Sequence, residues 1–129
     1  MPIEKFQKLN VWQEARQLVL LVYRHTGSFP DEERFALALQ MRRAAISVMS
    51  NIAEGSKKRS VKERRRFHEI ADTSLEELKA QAIVSADLHF IDVEKCDGIL
   101  EQGRKVGGML GALDKTLDRP TAYGVQRTA

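Results

Sequence analysis

The stretch SVKERRRFHEIADTSLEELKAQAIVSADL, residues 60–88, decides the fold. It opens with Ser60-Val61-Lys62-Glu63, a capping-box pattern in which the serine side chain accepts a hydrogen bond from the first helical turn. Apolar or small residues then recur three and four apart, the spacing of one face of an α-helix. They are Phe67, Ile70, Ala71, Ser74, Leu75, Leu78, Ala82 and Ala86. The pattern predicts a helix from Val61 to about Leu88.

A helix near the N-terminus is predicted from similar signals. Asn10 is a favourable N-cap residue with Gln13 three positions later, and the periodic pattern continues to about His25. Gly27 is expected to adopt the left-handed conformation that ends many helices. The apolar face consists of Trp12, Ala15, Leu18, Val19 and Val22.

Another helix is predicted after Pro30. The acidic residues 31–33 would fill its first turn, where carboxylates favour the positive end of the helix dipole. Gly55 is expected to mark its end. The apolar face consists of Phe35, Leu39, Ala45, Ile46, Met49, Ile52 and Ala53.

The last predicted helix begins after Asp92, a favourable N-cap, and ends before Arg119-Pro120. Its apolar residues alternate three and four apart, as in a heptad seam. They are Cys96, Ile99, Gly103, Val106, Leu110, Leu113 and Leu117.

Three glycines inside this helix, Gly103, Gly107 and Gly111, lie four apart and so share one stripe. Each glycine costs about 1 kcal/mol relative to alanine in a helix interior. The regular spacing favours close approach of another helix, from the same or another subunit, over a merely tolerant, weak helix.

Four helices joined by short loops predict an all-α fold, an antiparallel up-down-up-down four-helix bundle. A chain of 129 residues is enough for one domain. The bundle is assigned to residues 1–118, and residues 119–129, which have no apolar period, are expected to be a flexible C-terminal tail.

Composition excludes several classes of protein. A single cysteine, Cys96, cannot form an intramolecular disulfide and is expected to be buried, which fits a reducing compartment. No apolar run is long enough to span a bilayer, and the N-terminus has no signal-peptide core. A cytoplasmic protein without a membrane partner is therefore expected.

The sequence contains no recognisable catalytic, cofactor or metal motif. None of the three histidines has the Glu-x-x-His spacing of a di-iron bundle. His68 and Asp72 lie four apart and could share a helix face, but two ligands make a poor metal site, so a solvated polar pair is favoured. We therefore expect no enzymatic activity, no metal and no cofactor. An enzyme that uses His68 with Asp72, or Cys96, is the least favoured interpretation.

Basic residues are concentrated in residues 57–66, which we call the basic segment. The whole chain has a net charge of only +3, but seven of its 21 Lys and Arg residues lie in these ten positions. They are Lys57, Lys58, Arg59, Lys62, Arg64, Arg65 and Arg66. Such density suits contact with RNA or DNA phosphates, whereas a solvated surface is the alternative.

A polar stripe follows the second helix beside its apolar face. Arg43, Ser47, Asn51 and Glu54 are spaced four, four and three apart, and Glu77 and Gln81 are four apart on the third helix. These six residues, which we call the polar stripe, are either plain surface or a hydrogen-bonded seam with another subunit or partner.

From about Phe6 to Leu117 the chain resembles a family of small bacterial four-helix-bundle proteins first noted as products of intervening sequences in large-subunit ribosomal RNA genes. The most specific matching segments are Gln40-Met41-Arg42-Arg43-Ala44-Ala45 and Asn51-Ile52-Ala53-Glu54-Gly55. The other matching residues are Leu9, Trp12, Ala15, Phe29-Pro30, Glu33, Ser47, Arg59, Ser60, Glu63, Phe67, Ala71, Ser74-Leu75, Glu77 and Gln81. The sequence departs at Leu88-His89-Phe90, where the family usually has glycine and tyrosine after the leucine.

The resemblance implies a left-handed antiparallel bundle that assembles into a ring-shaped homopentamer. It also implies kinship with the accessory protein of diversity-generating retroelements, a basic pentamer that works with a reverse transcriptase and nucleic acid. No catalytic residue is implied. The combined prediction is a non-enzymatic homo-oligomeric interaction module that binds RNA or DNA through the basic segment, or alternatively a protein–protein scaffold without nucleic-acid contact.

Overall fold

Four α-helices make up most of residues 1–118, the part of the chain that this computed structural model describes. They are α1 (Asn10–Thr26), α2 (Leu37–Ser56), α3 (Val61–Asp87) and α4 (Val93–Leu117), with short 3-10 helices at Lys5–Lys8 and Asp31–Glu33. The described residues contain no strand, which confirms the all-α prediction. The predicted tail, residues 119–129, lies outside the described residues. No helix within residues 1–118 is long and apolar enough to cross a membrane.

Consecutive helices run antiparallel, as their side-chain contacts establish. The Oγ atoms of Ser47 and Ser74 lie 2.7 Å apart, and Ser85 Oγ donates to Met41 Sδ at 3.3 Å, so residue numbers fall along α3 as they rise along α2. The same reversal relates α3 to α4 and α4 to α1. The residue pairs concerned are His68–Asp114 and Ala82–Cys96, then Glu14–Gln102 and His25–Lys95.

Two predicted N-caps are confirmed. Ser60 Oγ accepts a hydrogen bond from Glu63 N–H at 2.9 Å, and an Asp92 side-chain oxygen accepts one from Lys95 N–H at 2.8 Å. Each bond satisfies a backbone N–H that has no partner within its own helix. The starts of α3 and α4 therefore follow from residues that lie within one turn of each other.

The predicted N-cap of α1 is wrong by one residue. Leu9, in an extended conformation, is the N-cap, and its carbonyl accepts from Gln13 N–H at 3.1 Å, so Asn10 is already helical. The preceding 3-10 helix delivers the chain to this position, and the Gln13 side chain donates back to Gln7 O at 2.6 Å. A contact with that turn takes the place of an asparagine cap.

Gly27 does not adopt the predicted left-handed conformation, because its φ is −64°. The end of α1 is held instead by Thr26, whose buried hydroxyl donates to Val22 O at 2.8 Å and accepts from Arg42 Nε at 2.9 Å. The terminus of α1 is thus stabilised from α2, and a glycine cap is not required.

The predicted start of the second helix is several residues too early. Residues 31–33 form a separate 3-10 turn, and α2 begins at Leu37, whose N–H donates to Glu33 Oε2 at 3.2 Å. Phe35, predicted to be in the core, is therefore in the connection and is 80% exposed. Glu33 therefore does stabilise the N-terminus of α2, but its side chain accepts this hydrogen bond from a position outside the helix.

Gly55 does not end α2, which continues through Ser56. The glycine is buried, and a Cβ atom placed on it would lie 3.0 Å from Phe67 Cβ. Such a distance is shorter than ordinary carbon–carbon contact. Gly55 therefore allows a close approach of α2 and α3 just before the chain reverses.

The core lies between all four helices and matches the predicted faces except at their margins. Ile46 and Ile70, predicted to be core residues, are 36% and 39% exposed because they lie on the outer sides of α2 and α3. The seam of α4 is confirmed, with its last two leucines half-buried. The largest fully buried side chains are Leu18, Met41, Ile52, Leu75, Leu78, Ile99, Val22, Val48 and Val106.

The close approach predicted for the glycine stripe of α4 is confirmed at two positions. A Cβ atom on Gly103 or Gly107 would lie 3.3 or 3.2 Å from methyl groups of Leu75 on α3. At Gly111 and Gly108 the corresponding space is empty to 4 Å. Within one chain, Gly103 and Gly107 therefore allow α3 to pack closely against α4, whereas Gly111 does not contribute to this packing.

His89 carries the left-handed conformation that sequence analysis assigned to Gly27. Its φ is 63°, and the next residue, Phe90, donates its N–H to Ser85 O at 2.9 Å, which is the six-residue bond of a Schellman ending. Phe90 then packs on Phe29 with ring centroids 5.4 Å apart. The departure from the family pattern thus places a histidine where glycine is the favoured residue.

Replacement of His89 by glycine is expected to stabilise the protein. A side chain in the left-handed region costs about 1–2 kcal/mol, partly offset by the entropy of an unfolded glycine, so we expect a gain of about 1 kcal/mol. For a domain of this size that corresponds to a rise in Tm of about 4 °C. Thermal unfolding followed by circular dichroism measures it. His89→Ala, which retains a Cβ atom, should leave Tm nearly unchanged, and an equal rise in both variants would contradict the explanation.

Candidate nucleic-acid interface

The basic segment forms one end of the bundle. Its first three cations lie in the α2–α3 connection, where Lys57 follows the last residue of α2. The remaining four lie in the first two turns of α3, beyond the Ser60 cap. The reversal of the chain between α2 and α3 therefore gathers all seven basic residues at the same end of the molecule.

Three of these seven side chains make contacts within the protein. Arg64 Nε donates to Lys58 O at 2.6 Å, and the Lys58 ammonium lies 5.1 Å from the centroid of the Phe67 ring. Arg65 forms an ion pair with Asp118 at the end of α4. These cations hold the connection and the two helix ends together, so only part of the basic segment is available to an external partner.

The other four cations are Lys57, Arg59, Lys62 and Arg66. All four are exposed, and within residues 1–118 none of them forms an ion pair. They also lie beside the N-terminus of α3, whose unpaired backbone N–H groups add positive potential. These four residues, which we call the unpaired cations, are the strongest candidates for contact with an anionic polymer.

A shallow groove of about 400 Å³ lies on the α3 side of this end. Its lining includes Lys62, Arg65 and Arg66, with Glu69 as the one carboxylate among the residues that line it. The groove is open and predominantly cationic. Its shape suits a flexible, extended anion better than an enclosed small molecule.

Lys5 is a cation at this end that sequence analysis missed. It lines a cavity together with Arg64, although the two residues are far apart in the sequence. Only folding of the N-terminal 3-10 helix against the ends of α2 and α3 brings them together, so no sequence pattern signals the pair.

The polar stripe is partly internal. Ser47 and Asn51 are half-buried between α2 and α3, where Asn51 Nδ2 donates to Ser47 O at 2.8 Å. Ser47 in turn contacts Ser74 Oγ. Ser47 therefore joins α2 to α3 within one chain, and Asn51 is bonded to Ser47 on its own helix.

The other members of the stripe face outward. Arg43, Glu54 and Glu77 are exposed, and none of them forms an ion pair within the described part of the chain. Gln81 Nε2 donates to Glu77 Oε1 at 3.2 Å, whereas Gln81 Oε1 is buried without a hydrogen-bond partner among residues 1–118. A buried oxygen without a partner is unfavourable, so Gln81 lowers the stability of the packing at this position.

The residues considered for catalysis are arranged differently from the prediction. His68 is buried and its Nδ1 lies 2.5 Å from Asp114 Oδ1 on α4, whereas Asp72 is exposed. The predicted solvated pair of His68 with Asp72 is therefore wrong, since α4 supplies the partner. Cys96 is buried as predicted, its thiol donates to Ala82 O at 3.4 Å, and burial raises the pKa of that thiol.

Two further pKa shifts lie between α1 and α4, outside the basic segment. Hydrogen bonds from Gln102 and Lys105 lower the pKa of the Glu14 carboxyl, which ties the middle of α1 to α4. Burial and the nearby charge of Lys95 lower the pKa of His25. The pKa shifts of Glu14 and His25 therefore result from the packing of α1 against α4.

These features define a class of protein: a small all-α antiparallel four-helix bundle with one cationic end. The sequence model of the family described as 23S rRNA-intervening sequence protein matches residues 7–112, so the chain belongs to that family. This match confirms the family resemblance that was inferred from residues 40–45 and 51–55.

A solved structure supports the fold. It is described as a protein of unknown function from the S23 ribosomal protein family of Bacteroides thetaiotaomicron, and it superimposes with a TM-score of 0.75. The two sequences are 17% identical, and the match covers 81% of this chain and 95% of the other. At this identity the likeness concerns the fold alone. Comparison with curated proteins finds no match.

Proposed function

We propose that this protein is a non-enzymatic, homo-oligomeric, cytoplasmic interaction module that contacts RNA or DNA phosphates through the basic segment. The observation that carries the proposal is the set of four unpaired cations at one end of the bundle. Phosphate oxygens are the partners that such a cluster binds without recognising a base sequence.

The position of these cations within the fold supports the proposal. Cationic side chains in the first turn of a helix oppose its dipole and lower its stability. Lys62 stands in the first turn of α3, and the side chains around it repel each other in the absence of a polyanion. Phosphate binding would offset both unfavourable terms, because a helix N-terminus and a basic cluster each attract negative charge.

Binding should depend steeply on salt. If one protomer neutralises four phosphates of a single strand, log K should fall against log salt concentration with a slope of about −3. Fluorescence anisotropy with a labelled single-stranded RNA and a labelled DNA duplex, titrated from low to moderate salt, measures the slope. Absence of binding by the intact protein at low salt would contradict the proposed function.

Self-association through the polar stripe is the second part of the proposal. On α3, Ile70, Glu77, Gln81 and Val84 share one face, and the two apolar residues are 39% and 47% exposed. Apolar side chains beside unpaired polar groups are typical of a contact surface. The family resemblance indicates a homopentameric ring, which would repeat the basic segment around one rim.

Arg43→Ala is expected to lower the mass of the assembly. The arginine is exposed on α2 without an ion-pair partner in residues 1–118, and a buried charge pair between subunits is costly to break by removing one member. Multi-angle light scattering measures the mass, and Arg24→Ala on the exposed face of α1 is the control. An unchanged mass in Arg43→Ala would assign the stripe to another role.

The second candidate function is a protein–protein scaffold without nucleic-acid contact. The exposed Ile46 and Val84 favour it, since a protein partner would remove both apolar side chains from water. A full-mass oligomer that binds neither RNA nor DNA at low salt would support this function against the first.

A further inference from the structure

A partly enclosed cavity of about 210 Å³ lies beneath the basic end, between the 3-10 helix at Lys5–Lys8 and the ends of α2, α3 and α4. Its wall is mainly apolar and includes Leu9, Leu113 and Leu117. An apolar cavity of about 150 Å³ in another protein holds a benzene molecule. The space here is therefore sufficient for a single small ring with one substituent.

His68 provides the polar group inside this cavity. Its side chain is only 5% exposed, and Nδ1 faces Asp114 at 2.5 Å. The contact with Asp114 occupies Nδ1, and Nε2 is left without a hydrogen-bond partner in the described part of the chain. Gly55 lies next to this edge of the ring, and a Cβ atom there would be 3.7 Å from Nε2.

Among residues 1–118, two cations line the cavity and no carboxylate does. Lys5 forms no ion pair within residues 1–118, and Arg64 uses only its Nε, toward Lys58 O. The guanidinium NH2 groups of Arg64 remain available. An apolar wall, two cations and no acidic residue together favour an occupant with an apolar body and one negative charge.

We infer that this cavity binds a small apolar carboxylate of about the size of benzoate. The ring packs against Leu9, Leu113 and Leu117, and the carboxylate faces Lys5 and Arg64. The unpaired edge of His68 lies beside the bound molecule. The site is separate from the unpaired cations and does not depend on the proposed contact with nucleic acid.

Nuclear magnetic resonance titration of the full chain tests this inference. Benzoate, added to tens of millimolar, should shift the amide signals of Leu9, Gly55 and Leu113 and the ring protons of His68. Benzamide has the same shape without the charge and should bind at least about tenfold more weakly. Equal affinity for the two compounds, no shift with benzoate, or shifts confined to residues outside the cavity would overturn the inference.

Variants separate the cavity from the general positive charge of this end. Lys5→Gln should weaken benzoate binding several-fold, whereas Lys8→Gln on the same 3-10 helix does not line the cavity and should leave it unchanged. Leu117→Trp should fill the space and remove binding, with Leu20→Trp on exposed α1 surface as the control. Equal loss in the two lysine variants, or unchanged binding in Leu117→Trp, would also overturn the inference.

Discussion

Replacing Arg59, Lys62 and Arg66 together by glutamate is expected to lower the affinity for RNA and DNA by about a thousandfold or more. Each of the three is exposed and forms no ion pair within residues 1–118, so each is available for a phosphate. Losing one phosphate contact costs about tenfold, and a new carboxylate adds repulsion. The salt dependence should become shallower by about one in slope for each contact removed.

The choice of residues follows from the contacts at this end of the bundle. Arg64 and Arg65 are excluded because they bind Lys58 O and Asp118, and their reversal would disturb the α2–α3 connection itself. A matched control places the same three charge reversals at Arg24, Lys95 and Arg104, which are exposed elsewhere on the bundle. Both triple variants change the net charge by the same amount.

Anisotropy titrations of the two triple variants at the same salt concentration distinguish local contact from overall charge. If the unpaired cations contact phosphates, the control variant should retain most of the affinity and the steep salt dependence. An equal loss in both variants would mean that only net charge matters, and the proposed interface would be wrong. Circular dichroism verifies that both variants remain helical.

The helix starts that sequence analysis predicted correctly depend on residues close together in the chain. Ser60 and Asp92 each accept a hydrogen bond from the residue three positions later, so the sequence itself contains both partners. The heptad seam of α4 was likewise predictable because one periodicity runs without a break from Cys96 to Leu117. Local signals therefore sufficed for the starts of α3 and α4 and for the seam of α4.

The incorrect helix ends involve partners that are distant in the sequence, whereas the starts of α1 and α2 were misplaced despite partners within six residues. Thr26 ends α1 through a hydrogen bond from Arg42, so Gly27 has no need of a left-handed conformation. Glycine is a residue that often ends a helix, but at Gly55 it is needed because Phe67 on α3 leaves no room for a Cβ atom. Tertiary contact overrides an intrinsic preference of this size, since one packed side chain contributes more than one glycine costs.

The candidate interface shows the same division. The basic segment was evident because its seven cations lie within ten consecutive positions, and their gathering at one end follows from any α2–α3 reversal. Which cations are neutralised was not predictable, because Asp118 lies directly after the last residue of α4, 53 residues from Arg65. The partner of His68 was missed for the same reason, since Asp114 joins it only when α3 packs on α4.

Replacing Gly55 by valine is expected to destabilise the protein by about 3 kcal/mol, the largest effect among the glycines. A Cβ atom at this position would lie 3.0 Å from Phe67 Cβ, which cannot move without its backbone, so α2 and α3 must separate. The Ser47–Ser74 hydrogen bond lies further along the same interface and would be strained as well. We expect Tm to fall by about 10 °C or more.

Gly108→Ala is the matched control, and it should change stability in the opposite direction. Its Cβ atom would meet nothing within 4 Å, so helix propensity alone applies and predicts a gain of about 1 kcal/mol. Both measurements require one fixed protein concentration, because association also raises Tm. If Gly108→Ala instead lowers Tm and the mass of the assembly, the open side of the α4 glycines is occupied by another subunit. If Gly55→Val is neutral, the close approach of α2 and α3 at this position is wrong.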